Sequence, residues 1–337
     1  MRWGVPYGEP LWWRAQVEKA RRRGGNDAPV GREFAVSRRG WVLFTMMSVI
    51  WGVPYLLIKV ADGGVAVPVL VFARVAIGAA VLLPIAIRRG QIRVLASHWR
   101  WLAAFAVVEI MVPWALLSYA ERHLSSSMTG LLVASVPIIG VVLARLTGGT
   151  ERLTVLRWVG LLAGLAGVAV LAGPRVLGGG ALPIAAVILT AVCYATGPLI
   201  ANRKLDGLPG LEMTAVCLAA AAVVYAPAAA LTWPATTPSL AVLGSLAGLG
   251  VLCTAIAFVL FFQLIAEVGP ARATVITYVN PAVAVALGVV VLGEPLTPAI
   301  VGAFALILAG SVLATRSGQP RPQRAPDTQP APAVIDS

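Results

Sequence analysis

The chain has 337 residues, of which 59% are hydrophobic and 12% charged, with a formal net charge of +12. Soluble domains run at about 45–50% apolar and about 25% charged, so the polar residues here are too few to coat a soluble core of this length. The composition excludes an ordinary soluble protein and predicts an all-α polytopic membrane protein.

Residues 1–40 read as a polar, basic tail. Within it, Leu11–Arg23 is either a short interfacial helix with Trp12 and Trp13 in the headgroups or part of a disordered tail. A charged start, short apolar run and small-residue cleavage site are not visible, so no cleavable signal peptide is expected. Ten apolar runs follow: Trp41–Val60, Pro68–Ile87, Trp101–Ala120, Ser127–Leu146, Thr154–Gly173, Ala181–Ala201, Leu211–Leu231, Leu240–Ala266, Ala271–Leu292 and Thr297–Thr315. Most are near the 20 or so residues a helix needs to cross the hydrocarbon. They are continuous rather than alternating, which predicts helices and not β-strands. Thr154 and Thr297 are expected N-caps, and Pro298 suits a first helical position. Residues 316–337 are Pro- and Ala-rich and are expected to be disordered. Cys193, Cys217 and Cys253 lie inside apolar runs without a CxxC pair and read as small packing residues.

The cations set the expected orientation. With the N-terminus in the cytoplasm, 22 of the 26 Lys and Arg fall on the cytoplasmic side, as positive-inside sorting requires. The basic charge is then a topology signal facing anionic lipid, and no nucleic-acid partner is expected. Both termini are predicted cytoplasmic, in a plasma (inner) membrane.

The punctuation of the runs repeats. At an offset of 144 residues Pro198 answers Pro54, Arg203 answers Lys59, and Pro281 answers Pro137. At an offset of 143, Glu151-Arg-Leu-Thr is answered by Glu294-Pro-Leu-Thr. These matches suggest a duplication that kept the positions of its kinks, with repeats at 41–173 and 181–315. Each unit has five spans, an odd number, so the second must thread the bilayer upside down relative to the first. Ten transmembrane helices in two inverted five-helix repeats are the basis of many carriers that open alternately to either side.

Trp51-Gly52 followed by Lys59, a proline-led second run with Arg74, the Pro137 and Pro281 runs, and the two Glu-x-Leu-Thr starts resemble the EamA-type drug/metabolite transporter family over about residues 41–315. That resemblance implies a ten-helix carrier, commonly an exporter of amino acids or other small metabolites. It further implies a central cavity lined by the first four spans of each half, with the fifth spans peripheral. The second half departs from the pattern: no tryptophan matches Trp51, and Leu218 stands where Arg74 would recur.

Few residues in the runs can carry chemistry. Glu109 is a carboxylate deep in a span, where a charge is costly and marks function by default. It is a candidate for proton coupling or a substrate amine, or it pairs with Arg74, or it faces a vestibule. Arg74 is a candidate receiver of a substrate carboxylate; a pair with Glu109 or Asp62 is the structural alternative. Lys59, at a helix end, suits the helix dipole. Trp51, Tyr55 and Trp114 sit beside kinks and would form aromatic walls or ordinary packing. Asn280 meets substrate or a carbonyl freed by Pro281. Gly160-x-x-x-Gly164 and Gly244-x-x-x-Gly248 have the spacing of close helix contacts.

A secondary carrier of a small solute is therefore the leading expectation. A lipid or lipid-linked-sugar flippase of the same fold is the alternative. A membrane-embedded enzyme would need clustered acids, a metal site or a nucleophile–base pair, and none is legible. No Gly-rich phosphate loop with Lys-Ser/Thr occurs, so an ATP-driven pump is disfavoured, and no metal or cofactor is expected.

Overall fold

The computed structural model describes residues 37–147, 154–178, 180–269 and 273–315. The predicted tail over 1–36, Glu151 and the predicted tail at 316–337 lie outside the described residues. Ten helices are long and apolar enough to cross a membrane: α1 Arg38–Ala61, α2 Val67–Arg89, α3 Ile92–Glu121, α4 Ser126–Leu146, α5 Val155–Pro174, α6 Ala181–Lys204, α7 Gly210–Leu231, α8 Leu240–Val268, α9 Val275–Leu292 and α10 Pro298–Thr315. The polar residues flanking the runs start several of them. Ser37, Ser125, Thr154 and Ser239 each accept a hydrogen bond from a backbone N–H three residues on. The Ile300 N–H reaches Thr297 Oγ1 at 3.3 Å, so both predicted threonine caps form. The Ser37 cap starts α1 three residues before the apolar run.

The packing is symmetric under exchange of the halves. Helices α2, α4 and α5 lie against their own counterparts α7, α9 and α10, while α1 packs on α8 as α3 packs on α6. Two antiparallel five-helix units related by a pseudo-twofold axis in the membrane plane produce this pattern. Because ten crossings return the chain to its starting side, the start of α1 and the end of α10 lie at one face, here called the terminal face. The connections after α1, α3, α5, α7 and α9 lie at the far face.

The α5–α10 pair is peripheral and holds together through glycine. A Cβ on Gly310 would lie 2.6 Å from Gly164 Cα and 2.7 Å from Gly160 O. The backbones can approach only because no side chain intervenes. Of the second pair, Gly244 meets nothing within 4 Å, while a Cβ on Gly248 would lie 3.0 Å from Leu57 Cδ1 of α1, so only one of the two glycines sits at a helix contact. The three cysteines are buried and free, as packing residues.

The helices are interrupted where the two halves meet. In α1 the helix breaks over 51–53 and restarts at Pro54. Gly52 presses on Val283 and the Asn280 carbonyl there, leaving no room for a Cβ. Helix α6 runs unbroken through Pro198, so the predicted kink is kept in only one half. A transmembrane helix tolerates one lost N–H when its neighbours support it. Helices α4 and α9 break at equivalent points, ahead of Pro137 and Pro281. The sequence also hid a π-helical turn in α3, Val107–Met111, and its counterpart in α8, Gly248–Ile256. Such turns release carbonyls from the helical ladder. Tyr225 Oη of α7 donates to the Met111 carbonyl at 2.8 Å, and Thr254 Oγ1 donates to the Leu249 carbonyl at 2.8 Å.

Candidate functional site

Arg74 stands at the centre of the site. It is 6% exposed on α2, a turn before Gly78, where a Cβ would lie 2.7 Å from the Thr254 methyl. That close approach brings α2 onto the π-helical turn of α8, and Arg74 Nε donates to Thr254 Oγ1 at 3.1 Å. The guanidinium carbon lies 3.6 Å from the ring centroid of Trp114 on α3, a stacked cation–π contact. Tyr55 of α1, Tyr194 of α6 and Cys253 of α8 are within electrostatic reach of it. The Tyr194 hydroxyl lies against the Trp114 side chain. Five helices from both halves thus converge on one cation.

Among the described residues no carboxylate answers that cation. The ion pairs among the described residues are Arg89 with Glu212 and Arg122 with Asp62, so both structural partners proposed for Arg74 are elsewhere. Its Nη groups donate to no atom of the described residues. A buried guanidinium presenting an unused planar fork, backed by an indole face, suits a carboxylate or similar planar anion.

Of the sequence candidates, Arg74, Tyr55 and Trp114 are brought together. Glu109 lies on the π-helical turn of α3 and points at α6, where a Cβ on Gly197 would collide with its Oε2. That oxygen is buried without a hydrogen-bond partner, and Glu109 is within electrostatic reach of Tyr194 rather than paired with Arg74. Trp51 belongs to a separate aromatic cluster on α8, with ring centroids 5.9 Å from Phe258 and 4.7 Å from Phe261. With its amide nitrogen turned toward the carbonyls, Asn280 donates to Ile276 O at 2.9 Å and Ser48 O at 3.0 Å. It ties the α9 break to α1. Lys59 donates to the carbonyls of Glu121, in a short contact, and Leu124, at 2.7 Å; it caps the end of α3 rather than that of its own helix.

Sequence reasoning missed Tyr194 and Thr254. Tyr194 is an aromatic four residues before Pro198, as Trp51 is three before Pro54, so a signal existed. Thr254 had none, because only the π-helical register turns its hydroxyl to Arg74. Glu121 was also missed. It ends α3 fully buried, at 0% exposure.

Hydrogen bonds tie the two halves together at both faces. On the far face, Glu294 accepts from the N–H groups of Ser126 (2.7 Å) and Ser127 (2.9 Å) and from their hydroxyls at 2.9 and 2.5 Å. A carboxylate from the second half thereby caps α4 of the first, the geometry in which a helix N-terminus holds an anion. Burial pushes the Glu294 carboxyl up, but these four bonds outweigh it and hold it below its ordinary range. Asp62 is different. Burial pushes it up to about 6, with Arg122, 3.4 Å away, opposing. On the terminal face, Ser37 Oγ donates to Glu267 at 2.5 Å and Arg39 to Gln263 at 3.2 Å, joining α1 to α8. Beside them a cavity of about 440 Å³ is lined by Arg89, Gln91, Gly210, Leu211, Glu212 and Phe262.

The sequence profile of the EamA-like transporter family matches residues 38–173 and again 181–316. An uncharacterized inner membrane transporter of Escherichia coli K12, YedA, is 31% identical over 277 residues, covering 79% of this chain and 87% of that protein. A probable terminal-alkyne amino-acid exporter of Streptantibioticus cattleyicolor is 29% identical, covering 83% of this chain and 94% of its own length. A solved crystal structure with 25% identity superposes with a TM-score of 0.60 over 83% of this chain and 98% of that one. Two matched copies of one five-helix unit, on a fold whose packing exchanges those units, place the chain in the EamA-like family of membrane transporters.

Proposed function

We propose that the chain is a secondary-active exporter of small carboxylate-bearing metabolites, amino acids or related amphiphilic solutes, working by alternating access. The supporting observation is Arg74: buried between both halves, free of any acidic partner among the described residues, and stacked on Trp114. A solute carboxylate would take the unused fork, with Trp114, Tyr194 and Tyr55 covering its apolar part. Rocking of the two five-helix units would exchange the far-face and terminal-face latches, driven by an existing gradient rather than by a nucleotide. The terminal face is taken as cytoplasmic, because the positive-inside count of the sequence assigns 22 of the 26 cations to the side on which α1 starts. The named activity of the Streptantibioticus relative agrees with export of an amino acid. We read the chain as a carrier and not an enzyme.

A flippase reading has one observation in its favour. An apolar groove of about 480 Å³ runs along α2 and α7 and is lined by residues including Phe72, Leu83, Pro84, Ala222 and Ala226. An acyl chain fits such a lining.

Proteoliposomes loaded with labelled amino acids separate the two. Efflux above empty-vesicle controls, competed by free carboxylic acids and not by their amides, supports the carrier. No efflux of any loaded solute, together with transbilayer movement of a labelled lipid, moves the assignment to a flippase.

A further inference from the structure

Glu121 is used by nothing described so far, yet it is the most thoroughly buried carboxyl group of the far face. Its exposure is 0%, and neither Oε1 nor Oε2 has a hydrogen-bond partner. The groups around it come from every packed element. From α1, Lys59 is within electrostatic reach; two of its three N–H donors go to the Glu121 and Leu124 carbonyls, and no ion pair joins it to the carboxyl. From the loop after α1 comes Asp62, and from the loop after α9 comes Glu294, both acidic. From α4, the Thr129 hydroxyl lies within hydrogen-bonding reach of the carboxyl, although its donor is directed at the Ser125 carbonyl at 3.0 Å. The next residues of its own chain turn away: Arg122 bonds the Val65 carbonyl and Asp62, and His123 lies against Tyr119.

A carboxylate in that setting would be desolvated, unbonded and beside two further carboxylates. Such burial of a charge costs several kcal/mol unless it is paired. No ion pair joins Lys59 to the carboxyl in the closed state, so the ammonium must shift to offer the pairing, and that shift loosens its hold on the Glu121 and Leu124 carbonyls that tie α1 to the end of α3 and the loop after it. Ionisation of Glu121 and closure of the far face therefore oppose one another. Tyr55 completes the link, because it is within electrostatic reach of both Glu121 and Arg74.

Resting on the carrier reading, we propose that Glu121 is a proton-binding residue: it takes up a proton as the far face closes over it and gives that proton to water when the face opens. The step is a bare transfer, carboxylic acid to carboxylate plus a hydrated proton. The freed Lys59 ammonium moves to the carboxylate as the proton leaves. Glu109, on the other side of the Arg74 site, is not needed for it.

Infrared spectroscopy of the full chain in lipid nanodiscs tests this without any flux. At neutral pH the wild type is expected to show a carboxylic-acid C=O band component that disappears in Glu121→Gln and persists in Glu109→Gln. Glu121→Asp should keep an acid band at a displaced frequency, which holds the test open should the glutamine variant fold poorly. An unchanged acid band in Glu121→Gln overturns the proposal, as does loss of the whole band in Glu109→Gln. In proteoliposomes, Glu121→Gln is expected to lose the pH dependence of efflux; a wild-type pH profile in that variant also overturns it. If the band behaves as expected but no solute moves, the proton site stands and the carrier reading fails.

Discussion

Replacing Arg74 by Met separates a solute-binding cation from a structural one. A residue in a buried ion pair leaves an orphan charge when its partner is removed, at about 3–5 kcal/mol. Arg74 has no acidic partner among the described residues. Its removal forfeits the stack on Trp114, worth about 2 kcal/mol when desolvated, and the bond to Thr254, worth about 1 kcal/mol. Thr254 is left satisfied, because its hydroxyl already donates to the Leu249 carbonyl. Against those losses stands relief of the several kcal/mol for holding a lone cation away from water. The thermal melting point in detergent is therefore expected to stay level or rise. Binding should respond oppositely. Truncating one side of a buried charge-assisted pair costs about 2–5 kcal/mol. A site that hydrates when open belongs at the lower end, about 2–3 kcal/mol, or about 30- to 150-fold in apparent affinity. Efflux of a carboxylate solute should fall by that factor at low concentration, while the weak background movement of its amide is unchanged. A steep drop in melting point with equal loss for acid and amide would refute the reasoning and return Arg74 to a structural role.

Other expectations concern the faces and the seam. Glu294→Gln keeps the shape of the cap but replaces one accepting oxygen with a donor, so about two of four bonds to Ser126 and Ser127 are lost. With the group partly exposed, about 1–2 kcal/mol should go, read as a lower melting point. The Glu294 carboxyl lies below its ordinary range when folded. Its contribution is thus present above the unfolded value and lost as pH falls through the folded one; a melting point that ignores acidification would contradict this. Asp62 has the opposite sign, because the folded protein binds its proton more tightly, up to about 6 against 3.8 unfolded. Its stabilisation is complete below 3.8 and lost as pH rises through about 6, so Asp62→Asn should flatten the melting curve over that window. Gly310→Val would drive a side chain into Gly160 and Gly164. Overpacking of this kind costs about 1–3 kcal/mol, and since α5 and α10 are peripheral the melting point should fall with solute affinity unchanged.

Much of the architecture was legible in the sequence because it follows from local rules. Apolar length placed ten spans, threonine and proline placed the starts of α5 and α10, and an odd span count per repeat dictated the inversion. The site was legible in part: Arg74, Tyr55 and Trp114 converge, each an unusual residue in an apolar run. What escaped depends on register and on contacts between distant segments. The π-helical turn of α3 is followed by Pro113, a sequence sign that the backbone there is loosened, but α8 has no proline near its turn, so Thr254 read as one more small residue. The Glu-x-Leu-Thr motif read as a helix start, although Glu294 serves the N-terminus of α4 across the interface. Glu121 stood next to Arg122 and resembled loop charge, and only the packing of α1, α4 and the α9–α10 loop over it closes water out. Trp51 and Asn280 were drawn into packing because α8 and α9 press on α1 where Gly52 lets them approach.

Cys253 offers the most direct view of alternating access. It is 1% exposed and within electrostatic reach of Arg74, so a thiol reagent reaches it only when the central site opens. With Cys193→Ser and Cys217→Ser removing the other thiols, a membrane-impermeant maleimide would be applied to one side of oriented vesicles at a time. Two inverted units rocking about one site predict labelling from each side, slowed by bound solute. Labelling from one side alone, whatever the gradient or solute, would contradict it.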